Sequence, residues 1–347
     1  QDFQPAVEWS TKAIASARER GDQSTLAHAL NNLGSARLRV GDLTGFDLLK
    51  ESLGIALEYR FDDHAGRAYA NLIWTALDYR MYDTADDYLR DGISFATKRD
   101  LSGSLHYMTS ERGTLRLERG DWAGAEADLR WVLQQPEQPG IPQMPALATL
   151  ARLAVRRGDS SAPATLGQAW ELAEPTGELQ RMAPAAAARA EHAWLQQDLE
   201  ACRTAVADSY RLAIEVGQPW VTDELAFWMW RSGATHVTPD HTETPYATQI
   251  AGRWEAAAHQ WEEIGCPYAQ ATALYDAAEP GPLLTALEIL DGLGAAPAAR
   301  LVRSRLRLLG VRSIPRGPRP KTRANPAGLT PRQVDVLTLM ARGLTNT

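Results

Sequence analysis

Cysteine is nearly absent from this chain: Cys202 and Cys266 are its two thiols in 347 residues, too far apart to form a local CxxC unit. That spacing excludes a thiolate metal knuckle and a local redox pair, and both thiols are expected as small core residues. No signal peptide and no long apolar run occur, so a cytoplasmic setting is expected. Strand-type sequence is scarce too. Stretches rich in Ala, Leu, Arg and Glu dominate a composition that is 44% apolar, which points to an all-α protein with enough apolar residues for an extended core.

The motifs that carry common chemistries are missing as well. There is no GxxxxGK(S/T) loop to cradle phosphates, so ATP is not assigned to these residues. There is no GxSxG elbow, no HExxH helix and no GxGxxG turn after a strand. Glu191-His192 lies in a helical stretch without a second His four residues on. His236, Asp240, His241 and Glu243 are the nearest approach to a metal cluster, but their spacing is irregular and no thiolate supports them. A polar connector spanning residues 235–245 explains them better. The expectation is a chain without catalysis, metal or cofactor of its own.

What is present is a repeat. Anchoring on Asp42, Asp83, Asp121, Asp159 and Asp198 gives steps of 41, 38, 38 and 39 residues, a period that means stacked supersecondary units. Eight residues before each anchor stand Gly34, Thr75, Gly113, Ala151 and Ala190, all small. Four before stand Leu38, Tyr79, Leu117, Val155 and Trp194, all large. Alternation of that kind is what closely packed helix pairs require. The pairs read as residues 25–39 with 45–59, 64–80 with 84–97, and 102–119 with 122–134, and residues 3–20 read as the second helix of an earlier pair. Asn32-Leu33-Gly34 and Gly120-Asp121-Trp122 resemble the tetratricopeptide repeat, although the period exceeds its usual 34. The expected fold is therefore an all-α, tetratricopeptide-like superhelix over residues 1–311.

Stacked pairs curl so that their first helices line an inner face, the usual binding surface of such arrays. Counting 14, 11, 7 and 3 residues back from each anchor selects His28, Asn31, Ser35 and Arg39, then Tyr69, Leu72, Ala76 and Arg80, then Tyr107, Ser110, Thr114 and Glu118, with Arg152, Arg156 and Glu191 further on. This polar and aromatic stripe suits a peptide, a partner domain or a polar metabolite, and equally an ordinary solvated face. Most of the eleven Trp, with Trp194, Trp122 and the Phe227, Trp228, Trp230 group, are expected to pack between helices.

The period breaks beyond Trp220. Helices are expected over residues 220–232, 254–264, 267–278, 283–293 and 297–309. A basic Pro/Gly-rich linker follows over residues 312–328, a composition that extends at roughly 3 Å per residue. From residue 292 onward eleven Lys and Arg face one acid, Asp335, leaving 25 bases and 42 acids before it. Arg300, Arg303, Arg305, Arg307, Arg312, Arg316, Arg319, Lys321 and Arg323 form a basic stripe. It suits either salt-dependent contact with a DNA backbone, with Arg332 beyond it, or a clamp onto the acidic array.

In residues 329–347, Thr330, Pro331 and Gln333 have the arrangement of a helix-starting capping box. Val334, Leu337, Ala341 and Leu344 form one apolar stripe, and Gly343 suits a helix end. This run resembles the opening of the LuxR-type helix-turn-helix domain, with Gln333 where Glu is usual. The order Gly265-Cys266-Pro267-Tyr268, Leu287-x-x-Leu290-x-x-Leu293-Gly294 and Leu306-x-x-Leu309-Gly310 is similar to the segment preceding that domain in large ATP-binding, maltose-activator-like LuxR regulators. The resemblance implies an effector-sensing array between an upstream ATPase, which would bind ATP, and a terminal domain for promoter DNA. With no Met before Gln1 and a single helix of the terminal module, the chain reads as a fragment of such a regulator. Its partners are then an effector or protein domain on the array, promoter DNA only in the full-length protein, and possible self-association through uncapped end repeats. A free-standing tetratricopeptide-like adaptor without a DNA role is the alternative.

Overall fold

The computed structural model describes residues 3–135, 143–235, 237, 239, 243–317, 329 and 331–342. Among them there are eighteen α-helices, one 3-10 turn and no strand. After α1 (Gln4–Arg20), five antiparallel pairs follow: α2 (Gln23–Arg39) with α3 (Gly45–Glu58), α4 (Asp62–Asp78) with α5 (Tyr82–Lys98), α6 (Ser102–Glu118) with α7 (Trp122–Leu133), α8 (Gln143–Arg157) with α9 (Ala162–Ala173), and α10 (Leu179–Leu195) with α11 (Leu199–Val216). Each first helix packs on its own partner and on the first helices of adjacent pairs, which makes the chain a helical-repeat solenoid. No helix among the described residues is long and apolar enough to cross a membrane.

The anchors act as local starts. Asp121 and Asp198 accept the backbone N–H of Gly124 and Ala201, capping α7 and α11. Small residues sit where expected in the first and third pairs: a Cβ on Gly34 would lie 2.8 Å from the Gly45 carbonyl, and one on Gly113 2.7 Å from Leu129.

The second pair has a different register. The residue just before each anchor is left-handed at Gly41, Gly120, Gly158 and Gln197, and in the second pair the left-handed residue is Arg80. The residue equivalent to the anchor is therefore Met81, two positions before Asp83, and it makes no side-chain cap. The small position is then filled by Ile73 and the large one by Leu77, both buried. Thr75 instead returns its hydroxyl to the Asn71 carbonyl, and the Tyr79 hydroxyl donates to Leu38 in the preceding pair.

The chain then turns back along the array. Helices α12 (Pro219–Arg231), α13 (Pro245–Ile250), α14 (Trp254–Ile264), α15 (Pro267–Leu274), α16 (Pro280–Leu293) and α17 (Ala296–Leu308) follow, most of them opened by a proline already set for a first helical turn. Pro219 lies against Gly41, Cys266 against Tyr82, Leu293 against Gly120 and Pro297 against Gly158. This return segment crosses the intra-pair turns of the first four pairs in order. Its aromatic residues pack as expected: Phe227 and Trp228 are buried with Trp194. Arg231, paired to Asp276 at 2.5 Å, sits about 5 Å from the ring centres of Trp194, Phe227 and Trp230. Both cysteines are buried and free, and burial pushes each thiol up to about 12, so they pack as apolar residues.

The expected terminal helix is α18 (Pro331–Ala341). Val336, Leu337, Leu339 and Met340 are 46–63% exposed, so this apolar surface is unburied in the chain as described. Thr330, Gly343 and Leu344 lie outside the described residues.

Candidate functional site: a charged cavity inside the array

The inner face carries a partly open cavity of about 160 Å³. Helices α4, α6, α8 and α10 supply most of its wall, and Val221 and Glu224 of the return segment close it. Part of the counted stripe lies on this cavity wall and part does not.

Arg80, Tyr107, Glu118 and Arg152 line the cavity, and Arg156 and Glu191 stand behind it. Arg80 and Arg152 both pair with Glu224, at 2.9 and 2.5 Å. Arg152 also lies 3.6 Å from Glu118 and 3.7 Å from Glu191, while Arg156 reaches the same two carboxylates at 3.3 and 3.1 Å. Three arginines and three glutamates thus alternate and balance. Burial works against the charge on Glu224, but Arg152 and Arg80 outweigh it and hold its carboxyl below the ordinary value. Arg152 and Arg156 are likewise disfavoured by burial, yet their glutamate partners raise both guanidinium groups further.

His28 and Asn31 lie on α2 away from the cavity. His28 approaches Asn32 and Arg67, and Asn31 accepts from Asn71 at 2.6 Å, forming a polar ladder between α2 and α4. Burial, Arg67 and His64 all lower the His28 imidazole. Arg39 stacks between Phe3 and Trp74, and burial is the main cause that lowers its guanidinium. Tyr69 is 8% exposed and packs against Phe95 between α4 and α5. The two-residue register shift explains its selection. Counting from Met81 replaces Leu72, Ala76 and Arg80 by Ala70, Trp74 and Asp78, and Trp74 and Asp78 are cavity residues. Arg80 reaches the site from the left-handed turn, where it also donates to the Leu77 carbonyl.

Glu111 and Glu224 complete the site outside any counted position. Burial, opposed by Arg80, raises the Asp78 carboxyl to about 7, and burial raises Glu111 to about 8 even though Tyr107 donates to it. Glu111 is 5% exposed and has no arginine or lysine within 4 Å among the described residues. Arg181, also on the cavity wall, is tied to Glu178 at 2.5 Å. Pro184, inside α10, has no N–H, so the Gln180 carbonyl lacks its helical donor, and both residues line the cavity.

The basic stripe is shorter than its sequence suggests. Arg303 pairs with Asp291 at 2.5 Å and donates to the Pro315 carbonyl, Arg305 donates to the Asp276 carbonyl, and Val311 and Ile314 pack on the core. Residues 312–317 therefore rest on α16 and α17. Arg312, Arg316 and Arg332 are exposed, while Arg319, Lys321 and Arg323 lie outside the described residues. So do His236, Asp240 and His241, and among the described residues no three potential ligands gather around a metal position.

No protein-family model and no curated protein matches the chain. Among solved structures it is similar to one described as "Circular tandem repeat protein with novel repeat topology and enhanced subunit contact surfaces", at 15% identity over 87% of this chain and 75% of that one, with a TM-score of 0.26. The fold assignment rests on the helix pairs themselves.

Proposed function

We propose that the array is the effector-sensing segment of a LuxR-type, ATP-dependent transcriptional regulator. The observation that carries this reading is the cavity: it gathers acidic and basic side chains from five helices around about 160 Å³. A cavity near 150 Å³ accommodates a benzene-sized molecule. A small polar effector fits a cavity of that size. The segment itself is non-catalytic; ATP belongs to an upstream domain of the full-length regulator, and promoter recognition to a completed helix-turn-helix. The effector acts by binding one arrangement of the return segment, through Val221 and Glu224, better than another, which is what coupling to neighbouring domains requires.

The test is to fill the cavity with Ala148→Leu in the full-length regulator and measure effector-dependent transcription. Loss of the response, with the helical melt of the array retained, is expected. An unchanged response overturns the sensing role. The chain alone should bind mixed-sequence duplex DNA weakly and lose that binding between roughly 50 and 200 mM salt. Sequence-specific binding by this chain at physiological salt would relocate DNA recognition into the array.

A further inference from the structure

Two acids of the cavity, Glu111 and Asp78, stand outside its ion pairs. Arg80 is paired with Glu224, Arg152 lies among Glu224, Glu118 and Glu191, and Arg181 is held by Glu178. Glu111 and Asp78 are left without an ion pair within 4 Å among the described residues, although Arg39 and Arg80 are near enough to favour the Asp78 charge. A buried carboxylate without a partner is costly, and a bound cation offsets that cost by supplying one. Gln180 and Pro184 of α10 line the same cavity, and Pro184, having no N–H, cannot serve the Gln180 carbonyl as its helical donor. An ammonium group offers three donors and one positive charge in a compact head. Trp74, Met144, Ala148 and Val221 give the wall an apolar and aromatic part beside Thr114 and Thr149, and that part suits a short hydrocarbon stem.

From this arrangement we infer that the cavity binds a small primary amine as its ammonium ion, seated against Glu111 with Asp78 as the second acid and its stem against Trp74 and Val221. The inference rests on the sensing role proposed above and names the ligand class of that site. A carboxylate or phosphate ligand would instead face two acids and compete with Glu224 and Glu118 for arginines already engaged.

The test uses three probes of nearly equal shape: n-propylammonium, 1-propanol and propionate, titrated into the 347-residue chain at neutral pH and followed by ligand-observed NMR. n-Propylammonium should saturate, with at least tenfold higher affinity than the other two. Glu111→Gln should lower that affinity at least tenfold, and Ala148→Leu should abolish it. Equal affinity for the amine and the alcohol, or preference for propionate, overturns the amine assignment while leaving the cavity as a binding site. Absence of binding by all three probes overturns the amine assignment; if Ala148→Leu also leaves the full-length regulator's effector response unchanged, the sensing role falls with it. The comparison among probes needs only the parent chain, so a variant that fails to fold leaves the assignment testable.

Discussion

Two regions of the same inner face solve the problem of polar side chains between helices differently. At the front, α2 meets α4 through neutral groups, with Asn31, Asn32, His28 and Asn71 bonded sideways and Arg67 still partly in water. In the middle, the equivalent surface of α6, α8 and α10 carries Glu118, Arg152, Arg156 and Glu191, and the return segment covers it. Neutral hydrogen bonds suffice where solvent remains close. Arginine–glutamate pairs appear where the return segment covers the face, and each partner there offsets part of the other's desolvation.

Removing Glu224 should break this contrast most severely. Glu224→Ala leaves Arg80 and Arg152 without their shared partner, and a loss of about 3–5 kcal/mol in urea unfolding is expected. Asn71→Ala at the front should cost about 1–2 kcal/mol. Equal losses would show that covering the face does not matter. A smaller effect separates covered from open turns. Gly158 is left-handed and a Cβ there would meet Pro297 at 2.8 Å, whereas left-handed Gly21 has open space around it. Gly158→Ala should therefore cost about 2–4 kcal/mol, and Gly21→Ala about 1 kcal/mol; thermal unfolding of the pair checks this.

Acidity sharpens the same comparison. Glu111 faces Tyr107 on its own helix and Asp78 on α4; Asp78 faces Arg39 on α2, its neighbour Arg80, and Glu224 on α12. Both carboxyls are raised in the folded chain, to about 8 and about 7, so the native state holds protons that the unfolded chain has already released. Stability from this source is complete at acidic pH, below the ordinary carboxylate values, and is lost as pH rises through 7 to 8. Glu111→Gln should flatten that limb, leaving the variant more stable than the parent by about 1–3 kcal/mol at pH 9 and nearly equal at pH 5. A parallel offset at both pH values would place the effect outside Glu111 ionisation.

Much of the fold is legible in the sequence, because the helix pairs announce themselves through capping aspartates, turn glycines and the alternation of small and large residues. The second pair hides its register: Arg80 takes the left-handed place of a glycine and Met81 that of the capping acid, while Asp83 offers a false anchor. Even steps of 39 and 40 residues from Asp42 through Met81 to Asp121, rather than 41 and 38, are the signal that locates Trp74 and Asp78. Glu224 and Val221 carry no such signal, since they come from beyond the periodic region and reach the cavity only through tertiary packing.

The path of the return segment also sets how the molecule comes apart. In an open array each pair touches only its neighbours, so ends fray and repeats unfold piecemeal. Here Pro219 is pinned at Gly41 and Cys266 at Tyr82, contacts that close loops of well over a hundred residues. The closing helices bind the first four pairs into one cooperative unit, and forming them requires slow, long-range loop closure late in folding. Hydrogen exchange should find the front pairs as protected as the middle ones, as in a closed globule rather than a spring.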